Sequence, residues 1–253
     1  MTRPRDEVDP LEAWGADASA SAYERGRPSY PPDAVAHVVG ALDLHPGRRV
    51  LDVGAGTGKC TRLLVATGAE VVAVEPAVAM RDALARNVAE AEVREGSAEA
   101  LPLPDASVDA VVAATAFHWF DHARAMPELA RVLRPGGMLA CLWNERDERE
   151  PWVRRMTEII GWDGFRPYGV AFDWRPVVEH DGWFELRERV QFPFVQQLDR
   201  ASMADRVRSI SYVAAMSEAQ RAPLLARIDE LVAPLGEPFE LPYLCDVVLA
   251  RRA

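Results

Sequence analysis

Short unbroken apolar runs alternate with segments of helical period along residues 48–144. "RRVLDVGAG" (48–56) opens as a buried strand and ends in glycines, and "TGKCTRLLVATG" (57–68) places Leu63, Leu64 and Thr67 at helical spacing with Gly68 as a stop. "AEVVAVEP" (69–76) is a second buried strand closed by proline, followed by the alanine- and arginine-rich helix "AVAMRDALARNVAEA" (77–91). "AEVREGSAEALPLPD" (91–105) reads as a short strand and a proline-broken loop. "SVDAVVAATAFHWF" (107–120) is a third buried run, "ARAMPELARVLRPGG" (123–137) a helix ended by Pro-Gly-Gly, and "MLACLWNERD" (138–147) a further strand. Strands that are apolar throughout are buried on both faces, so this order predicts an α/β fold with a parallel sheet covered by helices on either side.

The pattern changes after residue 147. "NERDEREPWVRR" (144–155) predicts a solvated loop entering a helix, and "FELRERVQFPFVQQ" (184–197) alternates apolar and polar positions like a half-exposed strand. Residues 202–233 are largely helical, and "FELPYLCDVVLARR" (239–252) is the last strand. Trp152, Trp162, Phe165, Tyr168, Phe172 and Trp174 fall among glycine and proline breaks instead of at helical spacing. They suit core and lid packing, or the apolar wall of a small-molecule site. One domain over 1–253 is expected: an N-terminal lid and helix (1–45), a core (46–147), and a second half (148–253) carrying the helical insertion.

Composition narrows the function classes. With 49% apolar and 27% charged residues, a core of ordinary size is available. A formal charge of −10 excludes a general polyanion binder, so no nucleic-acid partner is expected. No apolar run approaches the ~18 residues of a membrane span, and "MTRPRDEVDPLEAWG" lacks the apolar centre of a secretory signal, so a cytoplasmic protein is expected. Cys60, Cys141 and Cys245 share no ligand spacing, and His37, His45, His122 and His180 sit in unrelated contexts, so no metal is expected.

"VLDVGAGTGK" carries the most chemistry. A glycine turn between a buried strand and a helix lets a ligand approach the backbone near a helix N-terminus. A phosphate-binding P-loop would need glycine at Val53 and Ser or Thr at Cys60, and the dinucleotide fingerprint would need its third glycine at Lys59. What stands is Gly54-Ala55-Gly56-Thr57-Gly58, with Asp52 two residues ahead. Glu75 closes the second strand, where an acid can accept both hydroxyls of a ribose; nicotinamide-dependent dehydrogenases place an acid similarly.

The glycine loop, "EPAVAM" (75–80), "GSAEALPLPDASVDAV" (96–111) and "ELARVLRPGGMLACLWN" (128–144) together resemble the class I S-adenosylmethionine-dependent methyltransferases of the small-molecule branch. The whole pattern, with "YERGRPSYP" and "LWNERD", is similar to the methyltransferase type 11 and trans-aconitate methyltransferase-like proteins. The resemblance implies a Rossmann-like, doubly wound, seven-stranded sheet, mostly parallel with the last strand antiparallel, and a helical insertion between strands 6 and 7. It implies S-adenosylmethionine as cofactor, S-adenosylhomocysteine as product and a small-molecule acceptor, methylated by an in-line displacement governed mainly by proximity. The resemblance does not fix the acceptor atom: an oxygen (carboxylate or hydroxyl) is the first expectation, and nitrogen and carbon stay open. The cofactor residues it implies are Asp52 toward the ammonium group, Gly54, Ala55, Gly56, Thr57 and Gly58 in the loop, and Glu75 on the ribose. Pro76, Met80, Ser97, Ala98 and Glu99 follow around the adenine, with Thr115 and Phe117 near the methyl group. Many relatives carry an acid where this chain has Ser97, which accepts a hydrogen bond more weakly.

"AFHWF" (116–120) follows the fourth strand, at the edge where the family places the acceptor. His118, Trp119 and Trp143 are the expected acceptor pocket, and His118 is a general base, an acceptor-orienting donor or a packing residue. "YERGRPSYP" (23–31) precedes the helix "PDAVAHVVGAL" (32–42). Tyr23 and Arg27 are expected over the cofactor pocket, with Arg27 pairing the cofactor carboxylate or an acidic acceptor; otherwise the stretch is a solvated leader with Tyr30 packed on the helix. Two alternatives stay open: a nicotinamide-dependent oxidoreductase, and a domain that binds the cofactor without catalysis. Monomer and homodimer are both compatible with the sequence.

Overall fold

The computed structural model describes residues 17–161, 175–179 and 182–253 of the chain. Helix α1 (Asp17–Gly26) and α2 (Pro32–Ala41) precede β1 (Arg49–Val53), α3 (Thr61–Val65), β2 (Glu70–Val74), α4 (Val78–Asn87) and β3 (Glu92–Arg94). Then come β4 (Val108–Ala114), a 3-10 turn (Phe117–Trp119), α5 (His122–Val132), β5 (Leu133–Arg146), α6 (Pro151–Ile160) and α7 (Arg175–Val178). The chain closes with β6 (Phe184–Leu198), α8 (Arg200–Arg208), α9 (Ser211–Ala214), α10 (Glu218–Val232), a 3-10 turn (Ala233–Leu235) and β7 (Phe239–Arg252).

The seven strands run in the order β3-β2-β1-β4-β5-β7-β6, with the last strand of the chain antiparallel to the rest. The expected sheet and the helical insertion between strands 6 and 7 are both present; the insertion begins at Arg200. Parallel register pairs Leu51 with Val72 and Val111, which buries one apolar layer through three strands. Among the described residues no helix is long and apolar enough to cross a membrane, and no group of three or more His, Cys, Asp or Glu could hold a metal.

Two local expectations are corrected. The helix read over 57–68 is confined to Thr61–Val65, because Gly58 takes φ +90° and holds Thr57–Lys59 in a turn. The helix read to Gly137 ends at Val132. The Pro-Gly-Gly string lies inside β5, where the pairing slips from Val108–Leu133 to Ala110–Met138. That bulge needs glycine twice: Gly136 has φ +77°, and a Cβ on Gly137 would lie 2.9 Å from the Asp109 carbonyl oxygen. The aromatics Trp162, Phe165, Tyr168, Phe172 and Trp174, and His180, lie outside the described residues.

The chain divides into two compact units. One comprises Ser29–Asn144, Pro167–Phe192 and Cys245–Ala253 and holds most of the sheet; its core gathers Leu51, Val72, Val111, Phe117, Leu129 and Val248. Each such side chain contributes about 1.5–3 kcal/mol by leaving water. The other comprises Met1–Pro28, Glu145–Arg166 and Pro193–Leu244, and packs Met156, Ile160, Met203, Val207, Ile228 and Tyr243.

In the second unit α1 lies against α8 at very short range. A Cβ on Gly26 would fall 2.5 Å from the Asp205 carbonyl oxygen, while Arg25 Nε meets Asp205 Oδ2 at 2.7 Å and Gln196 Nε2 donates to the Gly26 carbonyl at 3.1 Å. Gly26→Ala is therefore expected to destabilise by about 1–3 kcal/mol, as overpacking does. Thermal unfolding followed by circular dichroism would show the loss as a lower Tm; an unchanged Tm would contradict this packing.

Candidate active site

The loop after β1 is built on positive-φ glycines: Gly54 at +68°, Gly56 at +58° and Gly58 at +90°. The three have different surroundings. A Cβ on Gly54 would strike Ala116 Cβ at 2.6 Å, and one on Gly58 would meet Leu84 and Val88 of α4 and its C-terminal end at 2.6 and 2.8 Å. In front of Gly56 no atom of the described residues lies within 4 Å. Two glycines thus serve close packing, and the middle one leaves bare backbone. Gly54 and Ala55 both donate to the Val74 carbonyl, at 2.8 and 3.2 Å, and Asn87 Nδ2 donates to the Thr57 carbonyl at 2.9 Å. The loop is thereby tied to the end of β2 and to α4.

Glu75 follows β2 and organises the cradle. Its Oε2 accepts from the Gly56 N–H at 2.8 Å and its Oε1 from the Ala77 N–H at 2.9 Å. Burial pushes its pKa up, against those two hydrogen bonds and the Arg81 charge. Each carboxylate oxygen keeps a second lone pair, enough for a diol. Asp52 is wholly buried: Oδ2 accepts from Thr61 Oγ1 at 2.7 Å, and Oδ1 is enclosed without a hydrogen-bond partner among the described residues. Burial raises its pKa to about 7, partly offset by the Thr61 hydrogen bond and reinforced by the Glu75 charge.

Of the remaining expected cofactor residues, Met80, Ala98 and Thr57 are buried and Pro76 and Ser97 half-buried. Glu99 Oε1 accepts from the Asp121 N–H at 2.9 Å, so it anchors the start of α5. Phe117 has no exposed surface. Its ring stacks on His122 at 4.5 Å and stands edge-on to Trp143 at 6.2 Å, which places the side chain in the core and leaves only its backbone for a ligand.

The C-terminal end of β4 is strained. Thr115 has φ +57°, an outlier for a β-branched residue, and is held there by its N–H on the Leu142 carbonyl at 2.7 Å and by Oγ1 on the Tyr30 hydroxyl at 2.9 Å. Tyr30, which sequence reasoning left as a packing residue, is thus tied to the strand end that carries "AFHWF". Ser29 is tied to the same unit, its carbonyl accepting from Asn144 Nδ2 at 3.1 Å. Tyr23 and Arg27 belong to the other compact unit, where the Arg27 guanidinium lies 5.3 Å from the Tyr23 ring centre.

His118 is half-buried, and Trp119 is 39% exposed at 4.9 Å from its ring. Trp143 Nε1 donates to His118 Nδ1 at 3.3 Å. An indole nitrogen can only donate, so Nδ1 accepts and the ring proton of neutral His118 sits on Nε2.

Residues 51–141 match the family model described as a methyltransferase domain. An uncharacterized methyltransferase of Mycobacterium bovis is 45% identical over 216 residues, covering 85% of this chain and 84% of that protein. A protein from Anaeromyxobacter dehalogenans assigned as a type II methyltransferase superposes with a TM-score of 0.62 at 27% identity, over 89% of this chain and 97% of the other. A geranyl diphosphate methyltransferase solved with S-adenosylmethionine shares the fold, with a TM-score of 0.51 at 16% identity over 87% and 85% of the two chains. These relationships give no support to the nicotinamide alternative. A glycine loop on the first strand, an acid closing the second and close relatives of this name together show that the chain belongs to the methyltransferase-domain family, as an S-adenosylmethionine-dependent methyltransferase.

Proposed function

We propose that the chain transfers a methyl group from S-adenosylmethionine to a carboxylate oxygen of a small molecule. The residues present fit this cofactor. No atom of the described residues lies in front of the Gly56 backbone, Glu75 offers a diol two oxygens already oriented by backbone N–H groups, and the enclosed Asp52 Oδ1, without a donor among the described residues, is the acid that would serve an ammonium group. Ser97 and Ala98 would border the adenine, with Pro76 and Met80 behind it. When bound, the cofactor supplies a methyl carbon on a sulfonium, an electrophile with a neutral leaving group.

The observation that carries the choice of acceptor is the Trp143–His118 hydrogen bond. A hydroxyl or amine acceptor must shed a proton during or after transfer, and a base near it is useful. The Nδ1 lone pair of His118 is already engaged by the indole, which leaves the ring an Nε2–H donor. A carboxylate is ionised at neutral pH and needs orientation, not deprotonation. With the cofactor bound, the carboxylate oxygen would supply the electron pair of the new bond as the methyl–sulfur bond broke, giving a methyl ester and S-adenosylhomocysteine with no proton transferred. His118 orients this oxygen, and Trp143 fixes the tautomer.

Replacement of His118 separates donor from base. His118→Gln keeps an N–H donor and is expected to retain most of kcat, whereas His118→Ala is expected to lower kcat about tenfold or more, the worth of one hydrogen bond to a charged group. If Gln and Ala were equally inactive, His118 would be acting as a base and the carboxylate assignment would fail.

A further inference from the structure

The chain leaves β4 through a strained residue, and a side chain from outside the sheet helps to hold it there. Thr115 has φ +57°, which a β-branched residue adopts only where its surroundings impose it. Its N–H donates to the Leu142 carbonyl at 2.7 Å, and its Oγ1 shares a hydrogen bond with the Tyr30 hydroxyl at 2.9 Å. Tyr30 stands directly before Pro31, the N-cap of α2, and Pro32 opens that helix; a residue ahead of proline is restricted to extended backbone. The carbonyl of Ser29, one position earlier, accepts from Asn144 Nδ2 at 3.1 Å. Ser29 and Tyr30 therefore clamp the ends of two neighbouring strands, β5 and β4, which pair as far as Ala114 and Leu142. All of these residues belong to one compact unit.

The direction set at Thr115 is passed to the residues that follow. Ala116 is buried against the glycine loop: a Cβ on Gly54 would lie 2.6 Å from Ala116 Cβ and 3.7 Å from the Phe120 ring. The 3-10 turn that begins next, Phe117–Trp119, carries His118. Its far end is fixed by the Glu99 carboxylate on the Asp121 N–H at 2.9 Å and by His122 Nε2, which donates to the Phe117 carbonyl at 3.0 Å. Its near end is fixed through Thr115. Relaxation of Thr115 to ordinary backbone would rotate the peptide leaving β4 and swing the turn about its far end. His118 would move with it and give up its 3.3 Å hydrogen bond from Trp143. The glycine loop has ties of its own, to the Val74 carbonyl and to Glu75, so the cofactor cradle does not rest on Thr115.

We propose that Tyr30 is a positioning residue for methyl transfer. Its hydroxyl keeps Thr115 in the left-handed region, and Thr115 in turn aims the 3-10 turn so that His118 meets the acceptor with its Trp143 bond intact. Tyr30 thus works through Thr115, not on the reacting atoms. The part played by His118 rests on the methyl-transfer reading; the tether of the turn does not. Misplacing an orienting group by about an ångström costs up to about 10²-fold in rate. The expected signature is therefore a loss in kcat, with the KM for S-adenosylmethionine kept.

Tyr30→Phe, which keeps the ring and removes the hydroxyl, is compared with Thr115→Gly and with the double variant. Glycine takes positive φ without steric cost, so it needs no tether. Two readouts are taken on the full chain. One is amide exchange of the segment 115–120 in the protein alone. The other is the initial rate of label transfer from methyl-labelled S-adenosylmethionine into a mixture of short-chain carboxylic acids. Tyr30→Phe is expected to speed exchange at 115–120 about tenfold while β1 and β2 exchange as in wild type. It is expected to lower the maximal rate about tenfold, with the KM for S-adenosylmethionine within about threefold. In the Thr115→Gly background the same replacement is expected to change neither readout by more than about twofold, the mark of two residues acting as a pair. A Tyr30→Phe protein that loses only Tm, with exchange at 115–120 and rate per folded molecule as in wild type, would overturn the proposal. Equal losses in both backgrounds would overturn it too, since Tyr30 would then act without Thr115. A wild-type chain that transfers no label would defeat the methyl-ester reading instead, and the exchange readout would still decide the tether by the same two comparisons.

Discussion

Glu75→Ala is expected to reduce affinity for S-adenosylmethionine by about a hundredfold or more while leaving the sheet folded. The carboxylate acts twice. It holds the Gly56 and Ala77 N–H groups at 2.8 and 2.9 Å, which shapes the loop, and its remaining lone pairs are those a ribose diol would use. Hydrogen bonds to a charged group contribute roughly 1.5–3 kcal/mol each, so losing two removes a factor of about 10² to 10⁴. Truncation also strands two backbone donors that the loop has placed around the carboxylate. Calorimetric titration of wild type and variant, with circular dichroism as the folding control, reads the effect. A dissociation constant within about threefold of wild type would remove Glu75 from the cofactor site.

Asp52→Asn is expected to act through protons. The side chain ionises near 3.8 in its unperturbed state and at about 7 in the folded protein, because burial disfavours the charged form. Between those values the folded chain holds a proton that the unfolded chain has lost. Stability contributed by this group therefore falls as pH rises through that window, and levels off above the folded value. An asparagine cannot ionise, so the variant gains stability relative to wild type between about pH 4 and 7, measurable as a pH-dependent difference in Tm. Thr61 Oγ1 keeps a carbonyl oxygen to donate to, which preserves the local bond. A cationic ligand near Asp52 favours the carboxylate, so wild type should release about half a proton on binding cofactor at neutral pH and Asp52→Asn should release correspondingly less. Binding enthalpies in two buffers of different ionisation heat give that count. Equal proton release by both proteins would show that Asp52 does not sense the ligand.

The sheet is legible in the sequence because continuous apolar strands and glycine punctuation are local signals: β7 is expected at 239–252 and is found there. Pro-Gly-Gly resembles a helix stop in the sequence because a bulge is defined by its partner strand, and no local pattern records that Asp109 lies opposite Gly137. The glycine loop disclosed its ligand class but not its division of labour; which glycine packs and which stays bare depends on Ala116, Leu84 and Val88. The role of Tyr30 is hidden in the sequence for the same reason, since its bond to Thr115 and the strain there exist only once the chain has returned to β4.

The central claim is that this chain makes methyl esters. Incubation with S-adenosylmethionine labelled in its methyl group, together with a fraction of small carboxylic acids, tests it directly. The account predicts a labelled product whose label is released as methanol by mild base, and whose formation is lost in Glu75→Ala. Label that survives base in the product, or no transfer by a folded chain that binds the cofactor, would contradict it.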